Sequence, residues 1–96
     1  MKAISMLKHQ FVGEIPGKLS AGILYISLEF DTMAHLCCCG CGHEIVTPLS
    51  PTDWRFTYNG AAITVHPSIG NWSHQCRSHY IIRNGRVVWA GDWTDE

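Results

Sequence analysis

Four of the five cysteines of this 96-residue chain stand together in Cys37-Cys38-Cys39-Gly40-Cys41, and the fifth is Cys76, in Cys76-Arg77-Ser78-His79. Adjacent and next-nearest cysteines hold their side chains at angles that suit the S–S dihedral poorly. They can instead face one soft cation. A structural zinc takes four tetrahedral N or S ligands, commonly from two short clusters separated by a loop. Two ligand sets compete here. Cys38-x-x-Cys41 has the spacing of a zinc knuckle, with Cys76 and His79 completing a Cys3His site. Alternatively Cys37, Cys39 and Cys41 wrap the ion at alternate positions and Cys76 closes it, which leaves His79 off the metal. Gly40 and Gly42 let the backbone fold tightly around the ion without a Cβ penalty. Binding at such sites is worth on the order of 10 kcal/mol, enough to supply most of the folding free energy of a small domain. A catalytic zinc keeps one position open for water, and a set of thiolates is too electron-rich to suit that role.

Hydrolytic chemistry needs a hydroxyl, a base within reach of it and donors for an oxyanion. Ser68 precedes Ile69-Gly70, whose backbone N–H groups could face an oxyanion, and His79 is the best base. Ser78 is next to His79 in sequence, but successive side chains of a strand point to opposite faces, so that pair makes a poor dyad. Asp53 is the candidate to orient the imidazole. Each residue also has a structural reading. Ser68 follows Pro67 and suits a turn-capping hydroxyl. His79 stands at metal-ligand spacing from Cys76, while His35 and His43 flank the cluster as loop or outer-shell residues. Trp54, Trp72 and Trp89 are most simply sheet aromatics, and Trp72 could instead line a groove for an extended peptide.

The elements that must position these groups read as β. Gly22 to Phe30 (GILYISLEF) alternates and is rich in β-branched and aromatic residues, which predicts a strand. Trp54 to Tyr58, Asn59-Gly60 and Ala62 to Val65 predict a hairpin, because Asn-Gly between alternating runs suits a type I′ turn. His79 to Arg83, Asn84-Gly85 and Arg86 to Trp89 repeat the pattern. Gly13, Pro16, Gly17 and Gly22 break up the first segment, leaving room for one short helical turn at most. The expected fold is therefore small and β-rich, a minimal α+β arrangement in which zinc staples two Asn-Gly hairpins and an N-terminal strand. Residues 1–96 are expected to form one zinc-binding domain, near the lower end of what a core stabilises alone.

Seven basic and eight acidic residues give a net charge of −1, which offers no electrostatic footprint for nucleic acid or an anionic membrane. The longest apolar-rich run, Ala21 to Leu28, is too short to span a bilayer, and Met1 to Gln10 carries no leader-like apolar stretch. Clustered cysteines without a leader point to the reducing cytoplasm.

The stretch His35-Leu36-Cys37-Cys38-Cys39-Gly40-Cys41-Gly42-His43, then Pro67-Ser68-Ile69-Gly70-Asn71-Trp72 and Cys76-Arg77-Ser78-His79-Tyr80, resembles a family of small Cys-rich bacterial domains. Those domains are encoded in ubiquitin-like conjugation operons. The resemblance runs from about Gly22 to Trp89. Family members resemble Cys-Pro-Cys-Gly-Cys-Gly at the cluster, which implies that Cys38 is dispensable to the metal and favours Cys37, Cys39, Cys41 and Cys76 as ligands. The family motif also falls on Pro67, Ser68, Cys76, Ser78 and His79. The resemblance implies a peptidase that processes or removes a ubiquitin-like protein, with that protein and its conjugation enzymes as partners. A non-enzymatic zinc-binding adaptor of the same pathway is the alternative, and a purely structural subunit is the third. The position of His79 separates them: a peptidase needs it off the metal.

Overall fold

Short strands form every regular element among the described residues, which are 4–50, 52–70 and 79–89 of a computed structural model. These residues hold no helix. The strands are β1 (Lys8–Phe11), β2 (Ile23–Ser27), β3 (Thr32–Leu36), β4 (Glu44–Pro48), β5 (Arg55–Tyr58), β6 (Ile63–Gly70), β7 (His79–Arg83) and β8 (Arg86–Trp89). They make two four-stranded sheets, ordered β1-β2-β3-β4 and β5-β6-β7-β8. All pairings are antiparallel except β1 with β2, which is parallel.

The strand expected over Gly22 to Phe30 ends at Ser27. Leu28 to Asp31 turn the chain into β3, with Asp31 in the left-handed region at φ 49°. The Ser27 hydroxyl accepts the Phe30 N–H, and Thr32 Oγ1 donates to the Phe30 carbonyl, which fixes the turn. β2 is buried almost throughout rather than on alternate residues. The reason is that both faces are covered. Leu24 and Ile26 enter the main core, while Tyr25 packs with Leu19, Val12 and Ile15 on the other face. Ser20 donates its N–H to the Tyr25 hydroxyl, and Ser27 Oγ donates to the Gly13 carbonyl, so the irregular segment before β2 is bound down as a cover.

The two glycine turns differ. At Asn84-Gly85 both residues have positive φ (51° and 78°), the combination a type I′ turn requires. At Asn59-Gly60 only Gly60 does (91°), and the connection runs over four residues. There the Asn59 side-chain carbonyl accepts the N–H groups of Ala61 and Ala62 at 2.9 and 2.8 Å, so a side chain closes the loop that a type I′ turn was expected to close.

The sheets are stitched along both margins. Leu7 donates its N–H to the Gly85 carbonyl and Val87 to that of Ser5, so the segment leading into β1 pairs with β8. On the other margin Leu49 bridges Trp54, with Trp54 N–H donating to Pro48 and Ser50 N–H to Trp54. One core fills the space between the sheets: Leu24, Ile26 and Met33 from the first, and Ile63, Val65, Ile69, Tyr80 and Ile82 from the second. Cys37 and Cys38 belong to that core.

Candidate functional site

β3 delivers the chain to the cysteines and β4 takes it away. Between them Cys37 donates its N–H to the His43 carbonyl at 2.8 Å, and Gly40 donates to the Cys37 carbonyl at 3.1 Å. Gly40 and Gly42 have φ of 89° and 86°, values that an L side chain adopts only with strain. This tight loop turns alternate cysteines to one side. The sulfurs of Cys37, Cys39 and Cys41 lie within 4.8 Å of one another, and those of Cys37 and Cys39 are 3.5 Å apart. In a tetrahedral zinc–thiolate site, Zn–S bonds of about 2.3 Å put neighbouring sulfurs about 3.8 Å apart, so the three donors are spaced to hold a metal ion. Cys37 is buried and the other two are half-buried. His79 is not among the gathered ligands. Cys76, the expected fourth, lies outside the described residues, as do Ser78 and Trp72.

Cys38 takes the opposite direction. It is fully buried, its carbonyl accepts the Ile4 N–H at 2.6 Å, and its own N–H donates to the Tyr80 hydroxyl at 3.4 Å. Burial pushes its thiol up to about 11, the reverse of what a metal ligand needs. Among the described residues Cys38 is not in the gathered set, and it is part of the hydrophobic core.

Two residues absent from the expected site complete this end of the molecule. His43 Nδ1 lies 3.1 Å from the Cys41 sulfur. Tyr80, fully buried, sets its hydroxyl 2.8 Å from His35 Nε2 as well as against the Cys38 amide. His35 is itself fully buried, and desolvation lowers its pKa to about 4, so the ring is neutral at ordinary pH. Tyr80 falls within the predicted second hairpin, but no local signal pairs it with a histidine 45 positions away.

His79 begins β7 and is buried, 7% exposed. Its partner across the sheet is Gly70, and Tyr80 is opposite Ile69. Ser68 lies on β6 two residues before Gly70. The ladder is irregular here. Val65 pairs with Ile82 and Ile69 with Tyr80, so four steps along β6 run beside two along β7. The surplus falls on His66, Pro67 and Ser68, and bulges of this kind commonly lie beside active sites, where they re-aim a side chain. Among the described residues Asp53 has no imidazole partner. Its carboxylate accepts from Ser50 Oγ at 2.8 Å, in the exposed turn that precedes β5.

The model of a family described as bacterial ubiquitination-like system serine protease (BubE) matches residues 11–90. Neither the curated proteins nor the solved structures contain a match.

Proposed function

The chain belongs to the family of bacterial ubiquitination-like system serine proteases, and from that premise we propose that it is a deubiquitinase-like peptidase acting at the C-terminal tail of a ubiquitin-like protein. Ser68 is the nucleophile and His79 the base. The observation that supports this reading is the register of β6 against β7: Ser68 is on β6, two residues before Gly70, the partner of His79, in an irregular stretch of the ladder. In the proposed reaction His79 takes the hydroxyl proton as Ser68 Oγ bonds to the scissile carbonyl carbon. The C–N or C–O bond to the leaving group then breaks, and His79 returns the proton to that group. Water, activated by the same imidazole, releases the acyl group from Ser68.

A structural zinc on Cys37, Cys39 and Cys41, with Cys76 as fourth ligand, is part of the reading. The spacing of the three sulfurs supports it, and His79 is then left to the chemistry. The ion supplies cross-linking between the β3–β4 loop and the segment that enters β7. The partners are the ubiquitin-like protein and its conjugation enzymes, in a reducing cytoplasm that keeps the thiols available.

Incubating the protein with a ubiquitin-like partner bearing a C-terminal extension tests the assignment. Cleavage is expected, with Ser68→Ala and His79→Ala each lowering turnover by about 10³-fold or more and Ser78→Ala sparing it. Full activity in Ser68→Ala moves the nucleophile elsewhere. An intact partner throughout favours the adaptor.

A further inference from the structure

The buried hydroxyl of Tyr80 has no part in the proposed chemistry, although its residue directly follows His79. A phenylalanine would fill the same space without carrying a polar atom into the core. The phenol instead bridges to the other sheet, where it meets His35 and both the amide and the thiol of Cys38. His35 Nε2 lies 2.8 Å away on β3, and the Cys38 amide donates to it at 3.4 Å from the cysteine loop. The ring is held on its other side by Trp89, edge to face with centroids 5.1 Å apart. Cys38 stands between two of the gathered sulfurs, so drawing those sulfurs onto an ion displaces the Cys38 peptide. That peptide donates its N–H to Tyr80, at the long end of hydrogen-bonding distance. Placing an ion among the sulfurs resets those of Cys37 and Cys39 from 3.5 Å toward about 3.8 Å, which moves the residues on either side of that peptide.

We infer that Tyr80 is a positioning residue: its hydroxyl ties the cysteine loop to the strand that begins with His79, so that metal binding at the loop sets the placement of the His79 ring. The inference rests on the zinc and peptidase reading above, but two of its readouts need no substrate. A rigid β-strand transmits the constraint over one residue, because fixing the Tyr80 side chain in the core fixes the orientation of the peptide that joins it to His79. The link is a chain of outer-shell contacts of the kind that orients metal ligands, whose loss typically costs 10–100-fold in metal affinity.

The test uses the full chain and Tyr80→Phe, which keeps the ring and removes the hydroxyl. Three quantities are measured: zinc retention against a competing chelator, the ¹⁵N signals of the His79 imidazole with and without zinc, and kcat and KM on the tailed partner. Wild-type His79 signals are expected to shift on zinc loading. In Tyr80→Phe that shift is expected to shrink, zinc affinity to fall about 10-fold, and kcat to fall about 10-fold with KM unchanged. A variant that loses only thermal stability, keeping zinc affinity and the His79 response, overturns the inference. So does a wild-type His79 signal indifferent to zinc. Should Tyr80→Phe fail to fold, His35→Gln loosens the same hydroxyl from its other side. It is expected to weaken zinc retention several-fold, and unchanged retention with an unchanged His79 response again overturns the proposal. If the wild type cleaves no partner, the peptidase reading fails by itself, while the zinc and imidazole measurements still decide the linkage.

Discussion

The two ends of the sheets are closed by different means. At the hairpin tips the backbone does the work. Asn84-Gly85 turns in two residues, Asn59 caps its own loop, and the tips hold one another through Gly85 N–H to the Ile63 carbonyl and Asn84 N–H to Thr64 Oγ1. At the cysteine end side chains do it. Three sulfurs converge, a fourth cysteine turns inward, and a histidine and a tyrosine from different sheets meet in the core. The first end is closed by hydrogen bonds within the Asn59 loop and between the two hairpin tips. The second gathers three sulfurs at a spacing that could hold a metal ion. The comparison teaches that local chemistry shapes one end of this fold, and that side chains brought together from distant positions shape the other.

The sharpest way to break that contrast is to remove the metal. Chelation, or Cys76→Ala, is expected to lower the apparent stability by several kcal/mol, out of the order of 10 kcal/mol that a structural zinc supplies. Thermal unfolding with and without chelator measures it, together with the zinc content of protein purified without added metal. A metal-free chain with an unchanged transition would show that the cysteine end closes by packing alone.

A smaller effect is expected of Cys38→Ala. The change deletes a fully buried sulfur from the core while leaving the Cys38 backbone bonds to Ile4 and Tyr80 in place. Removal of a buried group of this size costs about 1–2 kcal/mol. Zinc stoichiometry is expected to stay the same, since the side chain points away from the gathered set. A Cys38→Ala variant that loses its zinc would assign this thiol to the metal and undo the division between ligand and core cysteines.

The same contrast explains what could be read without a structure. The Asn84-Gly85 turn is legible because its signal is local: two positive-φ positions between alternating runs. β1, β3 and β4 carry no such signal. Thr32–Leu36 (TMAHL) is short, and its register depends on β2 and β4 rather than on its own pattern. The convergence of Cys37, Cys39 and Cys41 was accessible from spacing together with family likeness. The inward turn of Cys38 and the meeting of His35 with Tyr80 were not, because both follow from how the two sheets face each other. Asp53 shows the opposite error. A carboxylate ahead of a strand suggested an imidazole partner, and a local hydroxyl, Ser50, claimed it.

The finest test of the hairpin end compares its two glycines. Both Gly60 and Gly85 have positive φ, at 91° and 78°, so alanine is strained at either, by about 1–2 kcal/mol. Their surroundings differ. A Cβ on Gly60 meets open space, and the loop there is closed chiefly by the Asn59 side chain, which the substitution leaves alone. A Cβ on Gly85 would come within 3.1 Å of the Leu7 carbonyl oxygen, a backbone atom of the segment stitched to β8. That segment is held by the Leu7 N–H to Gly85 carbonyl bond at 2.7 Å, so it cannot retreat without loosening the seam between the sheets. Gly60→Ala is therefore expected to cost about 1 kcal/mol, and Gly85→Ala measurably more, by denaturant midpoints at unchanged slope. Equal costs would mean that the seam yields freely. Neither change is expected to alter zinc content, because each acts at the end of the sheets away from the cysteine loop.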